Sequence, residues 1–274
     1  LLGVLGGWIM RDQIAWSLFK KTIDRQVGFD ARDALPDGLH AAFCGTGTPL
    51  PDRTRGGGCL AVVAGARIFV FDAGEGSAET LALMGLLPSD VEAIFLTHFH
   101  SDHINGLGSL ALQHVFRGGV SAPLPVYGGP GIQRVTNGFN EAYALDHQYR
   151  VEHHGADIAP PAGLELEGRV IEIDPATSDT VVLDSDGVRI TAFTVLHGPV
   201  RPALGYRVEY ANRSIVVSGD TVYSSKLVEM SEGVDLLVHE ALAPALVKYI
   251  EQSARAHRRE GLATVMKDIP SYHT

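Results

Sequence analysis

The run Thr97-His98-Phe99-His100-Ser101-Asp102-His103 gathers three imidazoles and a carboxylate within seven residues. The apolar stretch Val91 to Leu96 before it reads as a strand. Side chains alternate along a strand, so His98 and His100 point the same way and one metal ion can take both. The chain then turns, which lets Asp102 and His103 reach a second ion. Zinc takes imidazole nitrogen at about 2.0–2.1 Å and carboxylate oxygen at about 2.0–2.2 Å, and catalytic sites keep one position open for water. A histidine-rich surface loop is the competing reading, and the H-x-H-x-D-H spacing directly after a strand argues against it. His197, in His197-Gly198-Pro199, and Asp220, in Ser218-Gly219-Asp220-Thr221, each follow another apolar run. Either alone reads as a turn residue. In this order, after the first cluster, both read as further ligands.

Taken together, Gly45-Thr46-Gly47, Asp72-Ala73-Gly74, Thr97 to His103, His197-Gly198-Pro199 and Ser218 to Thr221 resemble the metallo-β-lactamase fold. His239-Glu240-Ala241 and Tyr272-His273-Thr274 narrow the likeness to the ribonuclease Z branch, and within it to an arylsulfatase-like subgroup. The likeness runs from His40 to the C-terminus. It implies an α/β protein, a four-layer αββα sandwich of two mixed sheets, holding two Zn2+ per chain, with Mn2+ or Fe2+ as alternatives. His98, His100 and His197 would hold one ion, Asp102 and His103 the other, and Asp220 would bridge them. Asp102 would also orient the attacking water as a base, and His273 would protonate the leaving oxygen. His239 and Glu240 would tune His273 from behind, and Asp72 would orient a ligand histidine by hydrogen bonding.

The implied activity is metal-dependent hydrolysis of a phosphodiester or sulfate ester. A lactonase or β-lactamase uses the same machinery, because fold and metal pair do not fix the substrate. A non-catalytic metal-binding or membrane-tethered scaffold module is the reading from another class. Two departures from the family stand out. The family's last ligand is a histidine one helix and one strand beyond the motif matched by His273, so further sequence is expected after Thr274. Ribonuclease Z also carries a tRNA-gripping arm between the strands matched by Tyr206 to Tyr210 and Ser214 to Val217, where this chain has only Ala211-Asn212-Arg213. That turn, together with the acidic charge, leads to the expectation of a small-molecule ester substrate and no nucleic acid.

Composition sets the frame for these residues. The chain has 274 residues, 45% hydrophobic and 20% charged, with a formal charge of −10. It is long enough for one large domain, or two small ones packed as a unit, and its composition argues against disorder. Phosphate-backbone binding needs clustered Lys and Arg, which a net acidic balance does not suggest. A small anionic substrate stays open, since a metal reverses the local sign. Cys44 and Cys59 bracket a Gly/Pro/Arg loop. They either bridge in an oxidising compartment or stay as two buried thiols, the more frequent outcome.

Residues 1–35 stand apart from the hydrolase domain expected over 36–274. The chain begins with Leu, and Leu1 to Met10 is nearly all apolar. Ten residues cannot span a bilayer, which needs about 20. The segment reads either as the end of a signal or membrane anchor, or as a helix packing Ile9, Ile14, Leu18 and Ile23 on the body or on a second copy. It leaves membrane association and a homodimer open, with a periplasmic or membrane-anchored location slightly ahead of a cytoplasmic one.

Strands are expected over 40–44, 60–63, 67–71, 91–96, 125–127, 170–173, 180–183, 188–195, 206–210, 214–217 and 236–239. Helices are expected over 78–86, 106–116, 137–153 and 243–265. On the third of these helices Tyr143, His147, Arg150 and His154 recur at helical spacing. They could line the pocket mouth, with Arg150 gripping an anionic group in a bidentate contact, or form a solvated face.

Overall fold

Successive residues of the central strands belong to two different cores, and this alternation builds the protein. The computed structural model describes the backbone of residues 2–118 and 120–274 and the side chains of residues 11–115 and 120–274. After helix α1 (Leu2–Val27) come β1 (Leu39–Gly45), β2 (Cys59–Ala64), β3 (Arg67–Phe71), α2 (Ser77–Met84) and β4 (Val91–Phe95). The short helix α3 (Ser101–Ile104), α4 (Leu107–Gly118), β5 (Leu124–Gly128), α5 (Ile132–His154) and β6 (Leu166–Val170) complete the first half. The second half runs β7 (Asp179–Ser185), β8 (Val188–His197), β9 (Val200–Tyr210), β10 (Arg213–Val217), α6 (Ser225–Met230), β11 (Leu236–Val238), α7 (Pro244–Ala256) and α8 (Glu260–Asp268).

The first sheet has the order β1-β2-β3-β4-β5-β6, antiparallel from β1 to β3 and parallel from β3 to β6. The second has the order β11-β10-β9-β8-β7, antiparallel except for the parallel pair β10–β11. Both are mixed, as expected. Ile68, Val70 and Ile94 face the helix layer of α2, α4 and α5, where they meet Leu81, Leu107, Leu110 and Ile132. Phe69, Phe71 and Phe95 face the other way, onto Ile190, Tyr206 and Val208 of the second sheet. Full burial of each phenylalanine contributes about 1.5–3 kcal/mol. Leu227 of α6 covers the far side of the second sheet against Phe193, Val195 and Val216.

Three expectations change. The strand expected over 170–173 ends at Val170, because β6 pairs residue for residue with the five positions of β5 and is then exhausted. The helix expected over 243–265 is two helices. Arg258 takes φ +57°, and the Arg259 N–H reaches back to the Ala254 carbonyl at 2.8 Å, ending α7 as a glycine normally would. Residues 11–27 form a helix, but it does not pack on the body: Ile14, Leu18 and Ile23 are all exposed. The side chain of Ile9 lies outside the described residues. Among the described residues no helix is long and apolar enough to cross a membrane.

Candidate metal centre

The parallel pair β3–β4 brings Asp72 and Thr97 to one sheet end, and everything in the first half of the site follows from that. Asp72 leaves β3 with φ +59°, a left-handed conformation that aspartate tolerates better than bulkier residues. This turns its carboxylate back under the next strand. Oδ1 accepts the Thr97 N–H at 2.8 Å, and Oδ2 accepts the Thr97 hydroxyl at 2.9 Å. Nδ1 of His103 donates to the same Oδ2 at 2.7 Å, which leaves Nε2 free to serve as a ligand. Asp72 thus fixes the orientation of the His103 ring.

The second sheet is tied to the same place. Leu204 of β9 donates its N–H to the Thr97 carbonyl at 2.9 Å, and the buried Tyr206 hydroxyl donates to the Leu96 carbonyl at 2.6 Å. His197 ends β8, Asp220 follows β10 and Glu240 follows β11. Nε2 of His98 lies 2.9 Å from Nδ1 of His100, and Nε2 of His197 lies 3.4 Å from that same Nδ1. Oδ2 of Asp220 sits among them, 3.4 Å from His103 Nε2, 3.8 Å from His98 Nε2, 3.9 Å from His197 Nε2 and 3.8 Å from His273 Nδ1. Asp102 Oδ2 is 3.6 Å from His103 Nε2.

Three overlapping triads result: His98, His100 and His197; His98, His103 and Asp220; His197, Asp220 and His273. Within each, the donor atoms lie within 4.8 Å of one another. Imidazole nitrogens mixed with carboxylate oxygens suit zinc, and also manganese or iron. The electrostatics of His98, His100 and Asp220 agree with the donor set, while a metal at His103 would displace a proton that its two carboxylate neighbours favour. Burial, reinforced by the charge of His103, pushes His98 down to about 2, so its ring is neutral and offers a lone pair. His100 is lowered mainly by burial and then by His197. For Asp220 burial opposes ionisation, but the His103 hydrogen bond and the neighbouring imidazoles outweigh it and keep the carboxylate charged. Burial likewise opposes charge on His103, and Asp72 with Asp220 reverses the balance. The residues present therefore fit a divalent metal.

His273 lies at the rim. Its Nδ1 is 3.0 Å from Glu240 Oε2, and that hydrogen bond, working against burial, raises its pKa. Glu240 is fixed in turn, with Oε1 accepting the Thr221 N–H at 2.8 Å and its own N–H donating to the Ser218 hydroxyl at 3.0 Å. His239 does not join them. It is exposed, its Nδ1 faces the Glu240 carbonyl at 2.6 Å, and it lines a groove of ≈ 880 Å³ with Tyr223, Val228 and Leu237. The strand before it is an edge strand with Leu236 and Leu237 exposed, so it presents His239 outward. The α5 residues are not gathered into the cluster either. Tyr143 lies over Gly108 of α4, Arg150 pairs with Asp146 at 2.7 Å, and His154 is exposed. Asp146 competes for the guanidinium that was expected to hold an anion.

Sequence reasoning missed the backbone junction that supports the site. An added Cβ would come within 2.5 Å of the Asp102 carbonyl oxygen at Gly57, and within 2.2 Å of it at Gly74. The run Gly56-Gly57-Gly58 was the available signal. Cys44 and Cys59, left open between a bridge and two thiols, form a disulfide beside this junction.

Residues 54–255 match the family model for the metallo-beta-lactamase superfamily. The chain belongs to the metallo-beta-lactamase superfamily. Ribonuclease Z of Mycobacterium bovis is 34% identical over 238 residues, which is 86% of this chain and 78% of that protein. Among solved structures, human tRNase Z, short form, superposes with a TM-score of 0.60 at 24% identity, over 77% of this chain and 82% of that one. The metallo-beta-lactamase fold protein YhfI from Bacillus subtilis gives 0.54 at 19% identity, over 74% and 72%. As a superfamily member the chain is a metal-dependent hydrolase. These relatives overturn the expectation that nucleic acid is excluded. Net charge failed as a guide because it averages the whole surface, whereas a substrate meets only the few residues around a site.

Proposed function

We propose that the chain is a phosphodiesterase that hydrolyses RNA at a dinuclear zinc centre. The observation that carries this reading is the convergence of His98, His100, His103, His197, Asp220 and His273 on one sheet end. The naming of its 34%-identical relatives as ribonuclease Z supports the substrate class. His98, His100 and His197 would hold one ion, Asp102 and His103 the second, and Asp220 would touch both. Bound metal supplies Lewis acidity and lowers the pKa of water. The protein's own groups do the rest. Asp102 accepts the proton of the attacking water, and Asp72 keeps His103 in one tautomer. His273, held at Nδ1 by Glu240, gives a proton from Nε2 to the leaving oxygen.

The β9–β10 connection is a tight turn at Ala211 and Asn212, so RNA is gripped by other means than a long arm there. The exposed Arg53 and Arg55 lie on the loop whose end, Gly56 to Gly58, rests on the glycine junction. To test the reading, zinc content and turnover are measured on a precursor tRNA with a 3′ trailer, on bis(4-nitrophenyl) phosphate and on an aryl sulfate. Expected are about two metal equivalents with cleavage of both diesters. No metal uptake on reconstitution, or cleavage of the sulfate alone, overturns it.

A further inference from the structure

We propose that the Cys44–Cys59 disulfide is a positioning element of the metal centre, acting through the glycine junction on the Asp102–His103 segment. The two cysteines close β1 and open β2, with Cα atoms 4.9 Å apart and side chains buried at 2% and 4% exposure. They sit where the β1–β2 register shifts, since Gly45 rather than Cys44 pairs with Cys59. The bond therefore fastens the loop 45–58 at the point where the sheet register shifts. Its middle, residues 48–55, is exposed. The returning segment, residues 56–58, is not. Gly57 donates its N–H to the Glu75 carbonyl at 3.0 Å, and Gly74 donates to the Gly58 carbonyl at 2.9 Å.

This returning segment bears directly on the site. An ideal Cβ at Gly57 would lie 2.5 Å from the Asp102 carbonyl oxygen, and one at Gly58 would lie 3.4 Å from the His103 ring. Ala73 donates its N–H to the His103 carbonyl at 2.8 Å, and Gly106 donates to the Ala73 carbonyl at 2.8 Å. Three backbone segments thus cross in contact, and Cys59 is one residue from the Gly58 end of one of them. Freeing that end loosens the surface against which the Nδ1 edge of His103 is pressed, the edge that Asp72 also holds. The alternative is a bridge that only stabilises the fold by restricting the unfolded chain. The proposal rests on the reading of His103 as a ligand for its effect on rate, but not for its effect on position.

The experiment compares oxidised protein, phosphine-reduced protein and Cys44→Ala/Cys59→Ala. Trypsin cleavage after Arg53 and Arg55 is followed by mass spectrometry, and the His103 Nδ1 proton, donated to Asp72, by NMR, assigned from its loss in His103→Asn. Expected on opening the bridge is cleavage about tenfold faster, a moved or broadened Nδ1 resonance, and kcat lower by about tenfold with KM within about twofold. If the melting temperature falls while cleavage rate and resonance stay put, the bridge is merely structural and the proposal is overturned. Should the double variant fail to fold, the reduced wild-type protein supplies the same three readouts. If the oxidised protein turns over no diester, the functional reading fails, while cleavage and resonance still decide this one.

Discussion

Two carboxylates do the same job on opposite sides of the site, in different surroundings. Asp72 accepts a threonine N–H with one oxygen and a histidine Nδ1 with the other, at 2.8 Å from Thr97 and 2.7 Å from His103. Glu240 repeats the pattern at 2.8 Å from Thr221 and 3.0 Å from His273. The first set is buried between a helix layer and a sandwich core, with β3 and β4 paired side by side. The second follows a three-residue edge strand whose leucines are exposed. A carboxylate inside a dense hydrogen-bond network fixes both the fold around it and the ring it orients, because each broken bond leaves a buried polar atom unpaired. One at an open edge can fix a proton donor while contributing little to the fold.

The two halves share a single group, and removing it has the largest expected effect. Asp220→Ala lowers kcat by at least about 10³-fold, the upper end for loss of one preorganised charged group. It also lowers metal content at both positions, since Oδ2 lies within 4 Å of imidazoles from both sides. Elemental analysis beside diester turnover checks this. Near-wild-type activity, or loss of only one metal equivalent, would mean that Asp220 belongs to one half alone.

The same contrast explains what was legible in the sequence. The first half was legible in part: the strand pattern and the H-x-H-x-D-H run are local, but β4 ends at Phe95, so His98 and His100 meet through the following loop rather than by strand alternation, and Asp72 entered only through the family likeness. His197 and Asp220 were legible only in sequence order. The role of Glu240 against His239 was not, because it depends on which neighbour an edge strand turns inward. The glycine junction was hidden for another reason. Gly57 and Gly74 matter for the backbone they approach, and that is a fact about three distant segments meeting. Arg258 concealed the α7–α8 break by taking a conformation that sequence rules reserve for glycine.

Asp72→Asn sharpens the comparison from the buried side. Asparagine keeps an oxygen for the Thr97 N–H but presents an NH₂ where the Thr97 hydroxyl and His103 Nδ1 both donate. The expected result is metal affinity weaker by about 10²-fold, with stability lower by about 1–3 kcal/mol from the unpaired buried donor. Competitive chelator titration reads the first and denaturant unfolding the second. A variant with weakened activity but unchanged metal affinity would place Asp72 outside the chain of contacts that orients His103.

Glu240→Gln makes the matching change at the edge, and its effect is the smallest and the most diagnostic. The amide keeps an oxygen for the Thr221 N–H, so the turn after Asp220 stays in place. What is lost is the negative charge facing His273, whose raised pKa comes first from that hydrogen bond. If His273 serves as a proton donor, kcat falls by about tenfold, the lower range for loss of an orienting partner, while KM, metal content and melting temperature hold. If His273 is instead a ligand, as its place in a triad with His197 and Asp220 allows, metal affinity falls with kcat. His273→Ala, measured in parallel, separates the outcomes again: a donor costs rate alone, a ligand costs metal as well. Loss of metal in both variants would make the edge carboxylate a copy of Asp72 in function as well as in geometry, and the contrast between the two halves would fail.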